Sequence, residues 1–297
     1  MSILSIQNIS KSYGNIKALN GVSFEVPQGA IFGVLGPNGS GKTTLLSIIV
    51  DVLKADNGNF LWFDQPSSPA TRRKIGTLLE TPNFYHYLSA FNNLKITNSI
   101  SGRGNVTEIN VVLEKVKLLE RKNSRFSTYS LGMKQRLAIA GALLGEPKVL
   151  VLDEPTNGLD PVGIAEIREL IKELSIAGHT IIMASHLLDE VEKVCTHVAI
   201  LKKGTLLTTG AVDDVLVDND IVEISASDNN ALLNILQSYN GTEQVILENG
   251  LVQIQLAKGT ARPEEINAFC FSKGITLNHL VIKKKRLEAK FFELTNN

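Results

Sequence analysis

Apolar and polar positions follow two distinct rhythms along this chain. Val149–Leu152 is an unbroken apolar run, and Thr180–Ala184 repeats it, the pattern of strands buried on both faces. Between them Ile164, Ile167, Leu170, Ile171 and Leu174 recur at helical spacing, which predicts a helix over Pro161–Ala177 with one apolar face. Asp160-Pro161 supplies an N-cap and a first-turn proline, and Gly178 a stop. Strand, helix and strand in this order predict a parallel sheet covered by helices. Nearer the start, Ile3–Ile9 and Val22–Val26 read as antiparallel strands among turn residues. Asn92–Ile100 and Val106–Leu119 read as two helices with no strand between them, a helical insertion spanning about residues 84–145.

The pattern restarts near Val217, after the turn signals Lys203-Gly204 and Thr209-Gly210 and the acidic stretch Asp213–Asp220. Ile221–Ala226 reads as strand, Asn230–Gln237 as helix, and Gln244–Glu248 and Leu251–Leu256 as a hairpin about Asn249-Gly250, a strong short-range turn signal. Pro263–Ser272 then reads as helix, Leu277–Ile282 as strand and Arg286–Leu294 as a closing helix. The order βαββαβ is that of a small ferredoxin-like α+β unit. Two domains are expected, 1–217 and 218–297.

Composition narrows the function classes. Thirty basic residues balance thirty acidic ones, so the chain lacks the positive excess of a dedicated nucleic-acid binder. The basic run Lys283-Lys284-Lys285-Arg286 reads as a solvated strand end and helix start, and the segment around it carries no net positive charge. No apolar run approaches the roughly 18–20 residues that cross a bilayer, and Met1–Gln7 has no secretory pattern. Cys195 and Cys270 are too few for a disulfide framework and are expected as buried, reduced thiols. A cytosolic protein is expected.

The chemistry begins at Gly36-Pro37-Asn38-Gly39-Ser40-Gly41-Lys42-Thr43-Thr44, which fits G-x-x-x-x-G-K-[ST]. It follows an apolar strand, Ala30–Leu35, and opens an apolar helix, Thr43–Leu53, the context that makes the motif specific. Glycines let consecutive N–H groups converge on phosphate oxygens, and the helix N-terminus adds partial positive charge. Lys42 is placed to reach the β- and γ-phosphates and the Thr43 hydroxyl to ligate Mg²⁺. Asp153-Glu154 ends the apolar strand Lys148–Leu152. Two acids there are costly unless a cation or ligand compensates them; Asp153 is expected to hold Mg²⁺ and Glu154 to polarise the attacking water.

Several further motifs in order make residues 1–217 resemble the ATP-binding subunits of ABC transporters. Tyr129-Ser130-Leu131-Gly132-Met133-Lys134-Gln135-Arg136 looks like a variant of the LSGGQ signature, Asn157-Gly158-Leu159-Asp160 like the D-loop, and His186 like the switch histidine. Tyr13 sits where that family stacks an aromatic ring on adenine. The resemblance implies an α/β P-loop fold of ABC type, with an antiparallel β subdomain and a helical subdomain. It also implies a head-to-tail dimer, either homodimer or heterodimer, with ATP sandwiched at the interface. Ser130 and Gly132 would then contact the γ-phosphate held by the opposite subunit, His186 would contact the γ-phosphate, and Asp160 would couple the two sites.

Two departures stand out. Leu131 and Met133 replace the signature's glycine and glutamine, and Glu80 stands where the Q-loop carries glutamine; Glu80 is expected to reach Mg²⁺ through water. Leu79–Tyr85 and Ser130–Arg136 resemble the subgroup that exports bacitracin and lantibiotics. This implies an ATP-hydrolysing export motor that works with a separate membrane permease and sits peripherally on the inner face of the membrane. Thr81–Leu88 and Ser89–Leu119 would meet the permease, with Phe84, Tyr85 and Tyr87 as interface aromatics. The competing reading is a soluble ABC-type ATPase acting on nucleic acid or ribosomes.

Overall fold

The structure, a computed structural model, describes residues 1–80, 83–215, 220–257, 259–283 and 291. It divides into two units, Met1–Val212 and Asp213–Asn297. Val217, where the apolar pattern restarts, lies outside the described residues, as does most of the expected helix Arg286–Leu294.

In the first unit, β1 (Ser2–Tyr13), β2 (Ile16–Pro27), β4 (Asn57–Trp62) and β5 (Gln65–Pro66) form an antiparallel sheet in the order β2-β1-β4-β5. The second sheet has six strands. Its parallel part comprises β3 (Ile31–Leu35), β6 (Ile75–Leu78), β7 (Val149–Asp153), β8 (Thr180–Ser185) and β9 (His197–Lys202), and β10 (Thr205–Ala211) adds an antiparallel edge; the order is β10-β9-β3-β8-β7-β6. Every residue of β3, β7 and β8 is buried, as their unbroken apolar runs predict. Helix α1 (Lys42–Ile49) packs between the two sheets, and the Trp62 indole donates to Ile49 O at 2.7 Å. The short α2 (Pro69–Arg72) leads into β6.

Helices α3 (Ala90–Ser101) and α4 (Glu108–Lys115) pack against α5 (Leu131–Leu143) and form the expected insertion. Helix α6 (Pro161–Ile176) joins β7 to β8, and α7 (Leu188–Val194) joins β8 to β9. Two helices are shorter than their apolar pattern predicts. Helix α1 stops at Ile49, where Asp51 turns left-handed and leaves Val52 exposed, and α4 ends before Lys117, which also has positive φ. In both cases apolar residues carry on past a backbone reversal. Among the described residues no helix is long and apolar enough to cross a membrane.

The second unit begins with α8 (Val212–Val215), which straddles the division. It continues with β11 (Asp220–Ala226), α9 (Asn229–Leu236), β12 (Thr242–Glu248), β13 (Leu251–Leu256), α10 (Pro263–Ser272) and β14 (Leu277–Lys283). The sheet is antiparallel in the order β12-β13-β11-β14, the ferredoxin-like arrangement. Val222, Ile224, Val252 and Ile254 meet Leu232, Leu236, Ile266 and Cys270 in its core. The hairpin turns on Asn249 (φ 50) and Gly250 (φ 79), the two positive φ values of a type I′ turn. Asn249→Ala puts a poorly tolerated residue there and should cost this unit about 1–2 kcal/mol. Urea unfolding of the full chain, followed by a probe in the second unit, measures it.

Candidate active site

The carboxyl ends of β3, β7 and β8 gather the chemical groups. The loop 36–41 leaves β3 and enters α1 through Gly41, whose φ of 103° and close approach exclude a side chain: a Cβ there would lie 2.4 Å from Ala18 O of β2. Gly36 is equally closed, with a Cβ 2.4 Å from Leu201 O of β9. The loop is thus pinned between two neighbouring strands before any ligand arrives. Ser40 is buried and its hydroxyl has no hydrogen-bond partner among the described residues, an unmet polar group that a phosphate oxygen would satisfy. Lys42 is buried; its ammonium donates to Gly36 O (2.8 Å) and Pro37 O (3.3 Å) and lies 3.6 Å from Glu154.

Asp153 ends β7 almost wholly buried, and the Thr43 side chain hydrogen-bonds its carboxylate. Burial holds the Asp153 carboxyl above its ordinary 3.8; the Thr43 bond and the Lys42 charge oppose this, while the negative charges of Glu154 and Glu80 add to it. Its Oδ1 has no hydrogen-bond partner among the described residues. A desolvated carboxylate beside a threonine hydroxyl offers oxygen donors of the hard kind that a divalent cation such as Mg²⁺ prefers.

Glu154 is turned away from Asp153 by a left-handed backbone (φ 47), anchored by its N–H to Ala184 O at 3.1 Å. A glutamate held there stores strain, a trait of functional positions. The turn sets its carboxylate between two partners, Lys42 Nζ at 3.6 Å and His186 Nδ1 at 2.8 Å. His186 follows Ser185, a fully buried residue whose hydroxyl accepts from Leu187 N at 3.0 Å and so fixes the turn after β8. The structure therefore brings Lys42, Thr43, Asp153, Glu154 and His186 into one cluster, with Glu80 near enough for its charge to act on Asp153.

The remaining candidates lie elsewhere. Ser130 caps α5 by accepting from Met133 N (3.2 Å), and Asp160 caps α6 by accepting from Gly163 N (2.9 Å); these bonds stay within their own helix termini. Gly132 has open space where a Cβ would stand. Leu131, the signature's departure, is half-exposed and leans towards Gly158. Tyr13 closes β1, half-exposed, with the Lys11 ammonium 5.9 Å from its ring. Glu80 is exposed with φ 56, and Thr81-Pro82 lies outside the described residues.

The three expected interface aromatics separate. Phe84 packs edge-on against the buried Phe126 (5.3 Å), whereas Tyr85 and Tyr87 are exposed, their rings 5.9 Å apart. Buried Asn93 holds this segment by accepting from Tyr85 N and donating to Tyr85 O and Ser89 O. Sequence reasoning passed over Asn93, Ser185 and Thr156; the Thr156 hydroxyl is buried without a partner among the described residues. A polar residue within the apolar stripe of α3 was the available signal for Asn93, and Thr156 follows Asp153-Glu154-Pro155 directly.

Residues 19–157 match the ABC transporter family. The bacitracin transport ATP-binding protein BcrA of Enterococcus faecalis is 33% identical over 98% of this chain and 96% of its own length. The lantibiotic transport ATP-binding protein SrtF of Streptococcus pyogenes is 40% identical over 69% of this chain and 89% of its own. Among solved structures, the ATP-binding cassette MJ1267 in its ADP conformation superposes with a TM-score of 0.66 at 29% identity, covering 72% of this chain and 92% of that one.

Proposed function

The chain belongs to the ABC transporter family as an ATP-binding, ATP-hydrolysing subunit, and on that premise we propose that it drives export of a peptide antibiotic or drug through a separate membrane permease. The cargo class rests on the bacitracin and lantibiotic relatives. The single observation that carries the catalytic reading is Glu154, held in a strained turn between Lys42 and His186.

The nucleotide's phosphates lie on the N–H groups of residues 36–44, with Lys42 between the β- and γ-phosphates. The γ-phosphate competes with Glu154 for Lys42, which frees the Glu154 carboxylate to take a proton from the attacking water. His186, hydrogen-bonded to Glu154 through Nδ1, keeps Nε2 for the γ-phosphate. Thr43 and Asp153 hold Mg²⁺, which when bound neutralises phosphate charge. Tyr13 stacks on adenine. In a head-to-tail dimer of two copies, or of one copy with a relative, Ser130 and Gly132 approach the partner's γ-phosphate, and Asp160 links the sites. Tyr85 and Tyr87, beside a cavity of about 360 Å³ lined by Phe84, Ile96 and Ile100, are the surface offered to the permease.

Affinity purification of the chain from detergent-solubilised membranes of its host, followed by mass spectrometry, tests the transport reading. A co-purifying polytopic membrane protein is the expected result; recovery of ribosomes or DNA alone refutes it. Glu80 carries a separate expectation. Glu80→Gln removes a negative charge that acts on Asp153 and should raise the Mg²⁺ concentration for half-maximal hydrolysis roughly two- to five-fold, the weight of one partly screened charge. An unchanged Mg²⁺ titration would leave that charge without a role.

A further inference from the structure

Beside the edge strand β6, away from the groups described above, a cavity of about 370 Å³ is lined by Val50, Pro69, Ile75 and Thr77 and by three arginines, Arg72, Arg73 and Arg103. Among the described residues only Arg72 of the three is neutralised, by Asp51 at 2.8 Å. Arg103 lies between α3 and α4, and its Nη1 donates to Ile75 O at 2.7 Å. Among the described residues neither Arg103 nor Arg73 has a carboxylate at ion-pair distance. Arg103 is partly desolvated, and burial pulls the pKa of its guanidinium down. A cation held partly out of water without a counter-charge is unfavourable unless a mobile anion supplies one.

The edge of the sheet adds to this. Strand β6 pairs with β7 on one side only. Ile75 O faces outward to Arg103, so the backbone of Thr77, two residues on, faces the same way. Among the described residues its N–H is an unpaired edge donor, and Thr77 lines the same cavity. Guanidinium forks beside an edge N–H are donors that suit the several oxygens of a phosphate.

We propose that this pocket binds a phosphate-bearing anion through Arg73, Arg103 and Thr77, at a second site independent of the phosphate loop 36–44. The phosphate is carried either by a soluble molecule or by a lipid headgroup.

The test uses the full chain saturated with Mg²⁺ and a non-hydrolysable ATP analogue, so that the phosphate loop is filled as far as the γ-phosphate. Inorganic phosphate is titrated by calorimetry in one arm. Sedimentation with phosphatidylglycerol-containing vesicles, against phosphatidylcholine alone, is the other. Arg73→Glu is the deciding variant, because Arg73 is exposed and makes no structural bond like that of Arg103; its ATP turnover should match the wild type. Saturable phosphate binding that weakens at least ten-fold in Arg73→Glu, with no Arg73-dependent vesicle binding, establishes a soluble ligand. Vesicle binding that requires both anionic lipid and Arg73 establishes a headgroup. Binding that is equal in wild type and Arg73→Glu in both arms, or absent from both, overturns the proposal.

Discussion

Glu154→Gln is expected to lower steady-state ATP turnover by about 10²–10⁴-fold, the usual worth of a positioned general base, while ATP binding survives. The substitution keeps the shape of the side chain and its hydrogen bond with His186, but it removes the carboxylate that the proposed mechanism uses to accept the proton of water. It also removes the anion 3.6 Å from Lys42, so the ammonium is freer to meet phosphate and ATP affinity should hold or rise. Two measurements separate this from a folding defect: turnover by phosphate release, and equilibrium binding of a fluorescent ATP analogue. Loss of both would mean that Glu154 mainly shapes the loop. Retention of more than about a tenth of wild-type turnover, too much for loss of a general base, would transfer the proton to another acceptor. A second readout follows from the proposed head-to-tail dimer. If hydrolysis opens it, ATP should trap Glu154→Gln as a dimer on size exclusion while the wild type stays in exchange.

How much of this was readable beforehand depends on the range of the interactions. Helix α6 could be read almost to the residue because its signals are local: Asp160 caps it, Pro161 starts it and Gly178 follows it. The Asn249-Gly250 hairpin was readable for the same reason. The motif at 36–44 was equally clear, yet the reason Gly41 must be glycine is Ala18, on a different strand. Glu154 shows the limit best. Nothing local calls for a glutamate with positive φ; the turn follows from its N–H bond to Ala184, a residue brought alongside only by β8. The ends of α1 and α4 were misread because apolar periodicity says which face is buried and not where the backbone reverses. Phe84 and Tyr85 are neighbours with equal claims as interface residues; packing against Phe126 removes one of them.

Asp153→Asn is expected to abolish Mg²⁺-dependent hydrolysis and, without metal, to stabilise the protein. The Asp153 carboxyl titrates above 3.8 in the folded chain, chiefly through burial. Between 3.8 and that raised value the native state holds a proton that the unfolded chain has released. Stability therefore falls as pH rises through this window, and the cost persists at neutral pH. Asparagine has nearly the same shape and no charge, so in EDTA the variant should melt higher than the wild type, with the gap widening from pH 4 to pH 7. Adding Mg²⁺ with ATP should reverse the order, because a bound cation compensates the wild-type carboxylate and gives the amide little. Turnover should fall to the level seen without metal. Thermal unfolding across pH, with and without MgATP, reads all of this. If the variant melts lower in EDTA at neutral pH, the buried charge is already compensated by Thr43 and Lys42, and the unpartnered oxygen is no mark of a metal site. If it melts higher yet responds to MgATP as the wild type does, the metal is held elsewhere in the cluster, with Glu80 the next group to change.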